Sequence, residues 1–211
     1  MSMRLGNIIN SENMITLKKY KKIATKYGYV ASWAVWENAG ETPKSNIGHM
    51  DVLDEKKNSQ LLSTLRTDVV MVGLNFSREV EFEKPFMNFH DSNPHGNDFK
   101  IRYAFEGTPY YGAYMTDIIK GLAMTSSKDV LAHLKANPDI LQRQLDGFRK
   151  EMSFLGADKP IILAFGKEVY KILHDGLEEG EYSHLVKLTH YSHQINKENY
   201  KKGVHKKLYD E

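Results

Sequence analysis

The chain contains no cysteine among its 211 residues, so disulfides, thiolate zinc sites and iron–sulfur clusters are excluded outright. Proline is sparse at 6 residues, and no apolar stretch approaches the ~20 residues that a membrane-spanning helix needs. Met1-Ser2-Met3-Arg4-Leu5 leads into polar residues without the apolar core of a signal peptide, so a cytoplasmic location is expected. An excess of charge of one sign is also missing. The 29 basic and 27 acidic residues leave a net charge of +2, which neither requires nor excludes a polyanionic partner.

What is present fits a folded globular chain, with 41% hydrophobic and 27% charged residues. The length suits one domain with a full-sized core, read as residues 1–211. Basic residues are concentrated at Lys18, Lys19, Lys21, Lys22 and Lys26, and again at Lys197, Lys201, Lys202, Lys206 and Lys207. Each group is either a solvated helix face or a phosphate-binding surface.

Ile15, Tyr20, Ile23 and Tyr27 form a helical stripe, so a helix through Thr16 to Lys26 is expected, with Ser11 as its cap and Gly28 as its end. Tyr29 to Trp36 is ambiguous between a strand and a buried turn, its two tryptophans most simply core, and Gly40 to Gly48 reads as a loop. Asp54 is expected to cap a helix reaching Arg66. Val69 to Val72 is a continuous apolar run between Asp68 and Gly73, the pattern of a strand buried on both faces. The long connection to Thr108 is expected to be functional or partly helical. Gly112 to Ile119, Pro160 to Gly166 and Leu185 to Leu188 are further strands. Helices are expected over Lys128 to Ala136, Ile140 to Leu155 and Lys167 to His174; the second carries Leu141, Leu145, Phe148, Met152 and Leu155 as one stripe. Strands alternating with helices predict an α/β fold: a three-layer α/β/α sandwich around a four-stranded, largely parallel sheet.

Two segments far apart in the chain each follow a strand-like run: Gly73-Leu74-Asn75-Phe76-Ser77 and Leu188-Thr189-His190-Tyr191-Ser192-His193. At the carboxyl edge of an open α/β sheet, where ligands bind, they place an amide and an imidazole at one plausible site.

Taken in order, the strand ends resemble the uracil-DNA glycosylase superfamily over roughly Asp68 to Tyr200, which implies that 68–200 form the core of the domain and 1–67 an extension packed on it. The superfamily's first strand ends in a Gly-x-Asp/Asn/Ala-Pro loop, matched by Gly73-Leu74-Asn75-Phe76 with Phe76 in the place of proline. Pro85-Phe86 stands near the spacing of a Pro-Phe pair found in the iron–sulfur branch, although the cluster cysteines are absent. Thr116-Asp117-Ile118-Ile119-Lys120 is similar to that branch's Thr-Asn, two apolar residues and Lys. Phe165-Gly166-Lys167 matches the Gly-Lys after the third strand, and His190-Tyr191-Ser192 stands for the family's His-Pro-Ser. The pattern is that of a divergent member.

The resemblance implies hydrolysis of an N-glycosidic bond of uracil or another modified base in nucleic acid, with DNA as the partner. Asn75 would position the attacking water, its amide being unable to act as a strong base, or else cap the strand-to-loop junction. His190 would donate to the oxygen of the departing base from a ring N–H, or bond to backbone as a structural histidine. Phe86 would stack the base, with Phe76 and Phe89 as competitors and a core role as the alternative. Asp117 would read the base edge, or cap the following turn; as an ionised acceptor it suits an exocyclic amine better than a uracil carbonyl. Ser192 would hold a phosphate, and Ile195 would wedge the duplex or staple the next helix. The implied chemistry needs no cofactor, and His190 with His193 lacks the further ligands of a metal site. The alternatives are a noncatalytic nucleic-acid-binding module and a nucleoside or nucleotide N-glycosidase.

Overall fold

The apolar run Val69 to Val72 lies inside a ten-residue strand, β2 (Arg66–Asn75), at the centre of a five-stranded sheet. The computed structural model describes residues 15–37, 49–76, 81–90 and 96–210. Across the sheet the order is β1 (Ala31–Trp33), β3 (Ala113–Ile119), β2, β4 (Ile161–Phe165) and β5 (His184–Leu188). The last four are parallel, and β1 runs antiparallel to β3.

A central parallel strand must be apolar at successive positions because its side chains alternate between two buried faces. Val70 and Val72 enter one apolar cluster, Val69 and Met71 the other. The first face is covered by α1 (Leu17–Tyr27), the single turn α2 (Leu61–Thr64), α4 (Ser127–Ala136), α5 (Pro138–Leu155) and α6 (Lys167–Gly176). The second is covered by α3 (Asp98–Phe105) and α7 (Lys197–Tyr209). This is the expected three-layer α/β/α sandwich, with five strands in place of four. The extra strand is the ambiguous tryptophan segment, whose Ala31 and Trp33 pair with Thr116 and Tyr114. The stretch before residue 68 therefore contributes to the sheet itself, and Trp33 packs between Phe86 and Tyr114.

Local chemistry explains most element ends. Thr16 caps α1, its Oγ1 accepting from the Lys19 N–H at 3.2 Å; Ser11 and the Gly40 to Gly48 loop lie outside the described residues. Pro138 opens α5, where its missing N–H costs nothing, and Gly156 closes it at φ +74°. The helix expected from Asp54 to Arg66 does not form. A 3-10 turn (Met50–Leu53) precedes Asp54, α2 is one turn long, and Arg66 already belongs to β2. Polar side chains here bond the backbone in competition with helix. Asp54 Oδ1 accepts from the Lys56 N–H, Asn58 Nδ2 donates to the Val52 carbonyl, and Asn58 Oδ1 accepts from the Gln60 N–H. Among the described residues no helix is long and apolar enough to cross a membrane.

From β2 the chain passes to β3 on one side of it, then returns to β4 on the other. Connections that diverge in this way leave a crevice outside the carboxyl ends of the strands, and the site lies there.

Candidate functional site

A cleft of about 990 Å³ opens at the carboxyl edge of the sheet. Asn75 at the end of β2, Asp117 near the end of β3, Gly166 to Val169 after β4, and His190 and Ser192 after β5 all line it. Four candidate residues, Asn75, Asp117, His190 and Ser192, spread over more than a hundred positions of the chain, thus meet at one place.

Asp117 forms the floor. Its register partner across the parallel pairing is Gly73. A Cβ on Gly73 would lie 2.3 Å from Asp117 Oδ1 and 3.3 Å from the Phe89 ring, so only glycine leaves room for both. Gly73→Ala is expected to cost about 2 kcal/mol of unfolding free energy, measured by chemical denaturation. A cost near zero would mean that Asp117 and Phe89 shift freely. The carboxylate is 4% exposed, and its Oδ2 accepts from Asn88 Nδ2 at 3.0 Å. Burial pushes its pKa up to about 6, against the Asn88 hydrogen bond and the Lys120 ammonium, which pull it down.

His190 forms one wall, stacked on Tyr191 at 4.3 Å between ring centroids. The Ser192 backbone N–H donates to His190 Nδ1 at 3.1 Å, and Ser192 Oγ lies 2.8 Å from the same nitrogen. A backbone N–H can only donate, so Nδ1 is the acceptor and the ring proton sits on Nε2. Desolvation lowers the pKa to about 4, and the imidazole is neutral at pH 7. The hydroxyl of Ser192 is thereby committed to His190 in this arrangement rather than presented to a phosphate.

Asn75 is placed in the cleft, but its donors are spent. Nδ2 donates to the carbonyls of Phe76, Leu122 and Met124 at 2.6, 2.9 and 2.9 Å, which ties the loop after β3 to the end of β2. The acceptor Oδ1 is what the side chain retains for a water.

Phe86 does not line the cleft. It is 1% exposed in the core between Tyr20 and Trp33, so its expected role as the stacking aromatic is corrected. Phe89 occupies the cleft instead. Both phenylalanines have left-handed backbones, at φ +68° and +62°, a strained conformation for bulky residues that must be held from outside. The hold comes from β1 and the residues after it. Ser32 Oγ donates to the Phe86 carbonyl, Trp36 Nε1 donates to the Phe89 carbonyl, and the Phe89 N–H donates to Asn88 Oδ1. His90, also buried, lies with Nε2 2.9 Å from the Val35 carbonyl and its ring stacked on Trp36. The tryptophan segment thus positions the loop that carries Phe89.

Ile195 is half-buried against the α3 and α7 core and is not part of the cleft lining, so it is not held out as a wedge. The two lysine groups do not share a site. Lys19 and Lys26 lie over the Phe154 ring on the α1 and α5 side, whereas Lys197 and Lys201 lie over the Tyr103 ring on the α3 and α7 side. Lys100, which sequence reasoning did not single out, donates to the His193 carbonyl at 2.9 Å and fixes the loop behind His190. Asn88 was also missed, although it lies directly beside Phe89.

At Gly166 φ is +101°, and this residue begins α6 without a side-chain cap, so the amino end of that helix opens on the cleft. Among the described residues no three His, Cys, Asp or Glu side chains are grouped to hold a metal ion. Comparison with protein-family models, with curated proteins and with solved structures finds no match.

Proposed function

We propose that the chain hydrolyses an N-glycosidic bond, in the manner of the uracil-DNA glycosylase superfamily, on a base presented in nucleic acid. One observation carries the reading: Asn75, Asp117 and His190, from three strand ends, line a single cleft together with the aromatic ring of Phe89. A base enters and stacks on Phe89, and its edge meets the Asp117 carboxylate. Breaking the bond moves charge onto the base and leaves an oxocarbenium-like sugar; the His190 Nε2–H donates to the departing base. Asn75 Oδ1 orients the water that completes hydrolysis. Lys197 and Lys201, at the start of the helix that follows the His190 loop, supply phosphate contacts outside the cleft.

The test is a panel of oligonucleotides carrying uracil, hypoxanthine, xanthine or mismatches, assayed for alkali-labile abasic sites. His190→Ala is expected to slow release by about 5- to 30-fold, the worth of one or two kcal/mol of hydrogen bonding to the leaving group. Binding of these duplexes without cleavage of any base counts for a noncatalytic module. A second reading, a nucleoside N-glycosidase, is favoured by the carboxylates of Glu81, Glu83 and Glu168 around the cleft, which repel a phosphate backbone. Free nucleosides in the same panel test it.

A further inference from the structure

Building on the glycosidase reading, we propose that the base admitted to this cleft is a cationic one, a positively charged N-alkylated ring that departs as a neutral base. Among the described residues, Glu81, Glu83, Asp117 and Glu168 place carboxyl groups on the lining of the cleft, where Lys167 places an ammonium. The two histidines do not redress that balance, since burial lowers the pKa of both His90 and His190. Aromatic rings share the walls with aliphatic and uncharged polar side chains. Phe76 meets Phe82 edge to face at 5.8 Å, Phe165 meets Tyr191 likewise at 5.4 Å, and Phe89 also lines the cleft. Ring faces and carboxylates attract the same partner, a flat cation, the first through their quadrupoles and the second through charge.

The direction of charge flow in the reaction decides between base classes. A neutral base such as uracil leaves with the electron pair of the C1′–N bond and becomes an anion, which the Asp117 carboxylate at the floor would repel. A cationic base takes the same pair and becomes neutral. The positive charge passes to the sugar as an oxocarbenium ion, water adds at C1′ and releases a proton, and the products are a neutral base, a hemiacetal sugar and that proton. No general acid is needed, and the water needs little activation. A neutral imidazole and an amide limited to orienting water, the groups this cleft holds, suffice for that reaction.

The intact protein is given four probes: 7-methylguanosine, guanosine, a duplex oligonucleotide containing one N7-methylguanine, and the matched duplex containing uracil. Binding is followed by calorimetry and base release by chromatography. The methylated probes are expected to bind at least about tenfold more tightly than their neutral counterparts, the scale of one desolvated cation–π contact, and to lose their base faster. Glu81→Gln/Glu83→Gln, at two exposed positions where folding is not at stake, is expected to reduce the preference for methylated over neutral probes by about threefold to tenfold. Release from the oligonucleotide alone identifies alkylated nucleic acid as the source, and release from 7-methylguanosine as well identifies free nucleosides. Uracil release without methylguanine release overturns the cationic-base inference and leaves glycosidase activity standing. Tight binding of the methylated probes without release of any base supports the inference and overturns the chemistry. Equal binding of charged and neutral probes, or binding of none, overturns the inference.

Discussion

Lys120→Met is expected to lower the unfolding free energy by about 3–5 kcal/mol, the scale found when one member of a buried ion pair is removed. Glu151 is 1% exposed, beneath the sheet on the α5 side. Its Oε1 accepts from the Tyr114 and Thr116 hydroxyls, each at 2.8 Å, and its Oε2 lies 2.7 Å from Lys120 Nζ. Removing the ammonium leaves a carboxylate in an apolar layer with hydroxyl donors at one oxygen only. The burial penalty then falls on the folded state as an uncompensated charge. Chemical denaturation at neutral pH reads the effect. Adding Glu151→Gln to Lys120→Met is expected to restore most of the loss, because the stranded charge goes with it. A single-variant cost below about 1 kcal/mol would reduce the pair to the worth of a surface bridge.

That pair reaches the cleft directly. Lys120 Nζ also donates to the Asp117 carbonyl at 2.6 Å, and Gln144 of α5 bonds both the N–H and the carbonyl of Lys120. The end of β3 is therefore fastened to the helical layer just where Asp117 turns into the site. Phe89 is fastened from Trp36, just after β1, and the loop behind His190 from α3 through Lys100. Each of these cleft positions is held from a different part of the fold, which is the support a pre-organised site requires.

How far the sequence reveals this follows from the range of the forces involved. Val69 to Val72, Ile161 to Phe165 and the α5 stripe are legible because burial writes itself into local apolar periodicity. Asn75 and His190 are legible because strand ends on one sheet edge must face a common crevice. β1 is not: three residues cannot show a period, and its pairing partner Tyr114 lies about eighty positions away. The exchange of Phe86 for Phe89 is hidden for a related reason. Spacing after Pro85 favours the first, yet the left-handed backbones at both positions turn Phe89 toward the cleft and leave Phe86 in the core. Those conformations are held by Ser32 and Trp36 across more than fifty residues. The helix expected after Asp54 fails on side-chain chemistry, since Asn58 offers the backbone turn bonds that a helix must outbid.

Asp117→Asn is expected to stabilise the protein by about 2–3 kcal/mol at neutral pH while impairing the site. The folded-state pKa of about 6 stands above the ordinary aspartate value of 3.8 because burial disfavours the ionised form. The folded state thus holds the proton more tightly than the unfolded chain, and stability falls as pH rises through this interval. A separation of about two pH units corresponds to about 3 kcal/mol, fully felt above the folded-state value and absent below the unfolded one. Asparagine has nearly the same shape and still offers an oxygen to Asn88 Nδ2, but carries no charge to bury. Its advantage in denaturant unfolding should therefore be greatest above about pH 7, shrink as pH falls through about 6, and vanish near 4. A gain that does not vary with pH would mean that the carboxylate is not the source of the cost. The fold tolerates this penalty at a position where a neutral side chain of the same size fits, and that is expected of a group retained for what it binds rather than for what it holds together.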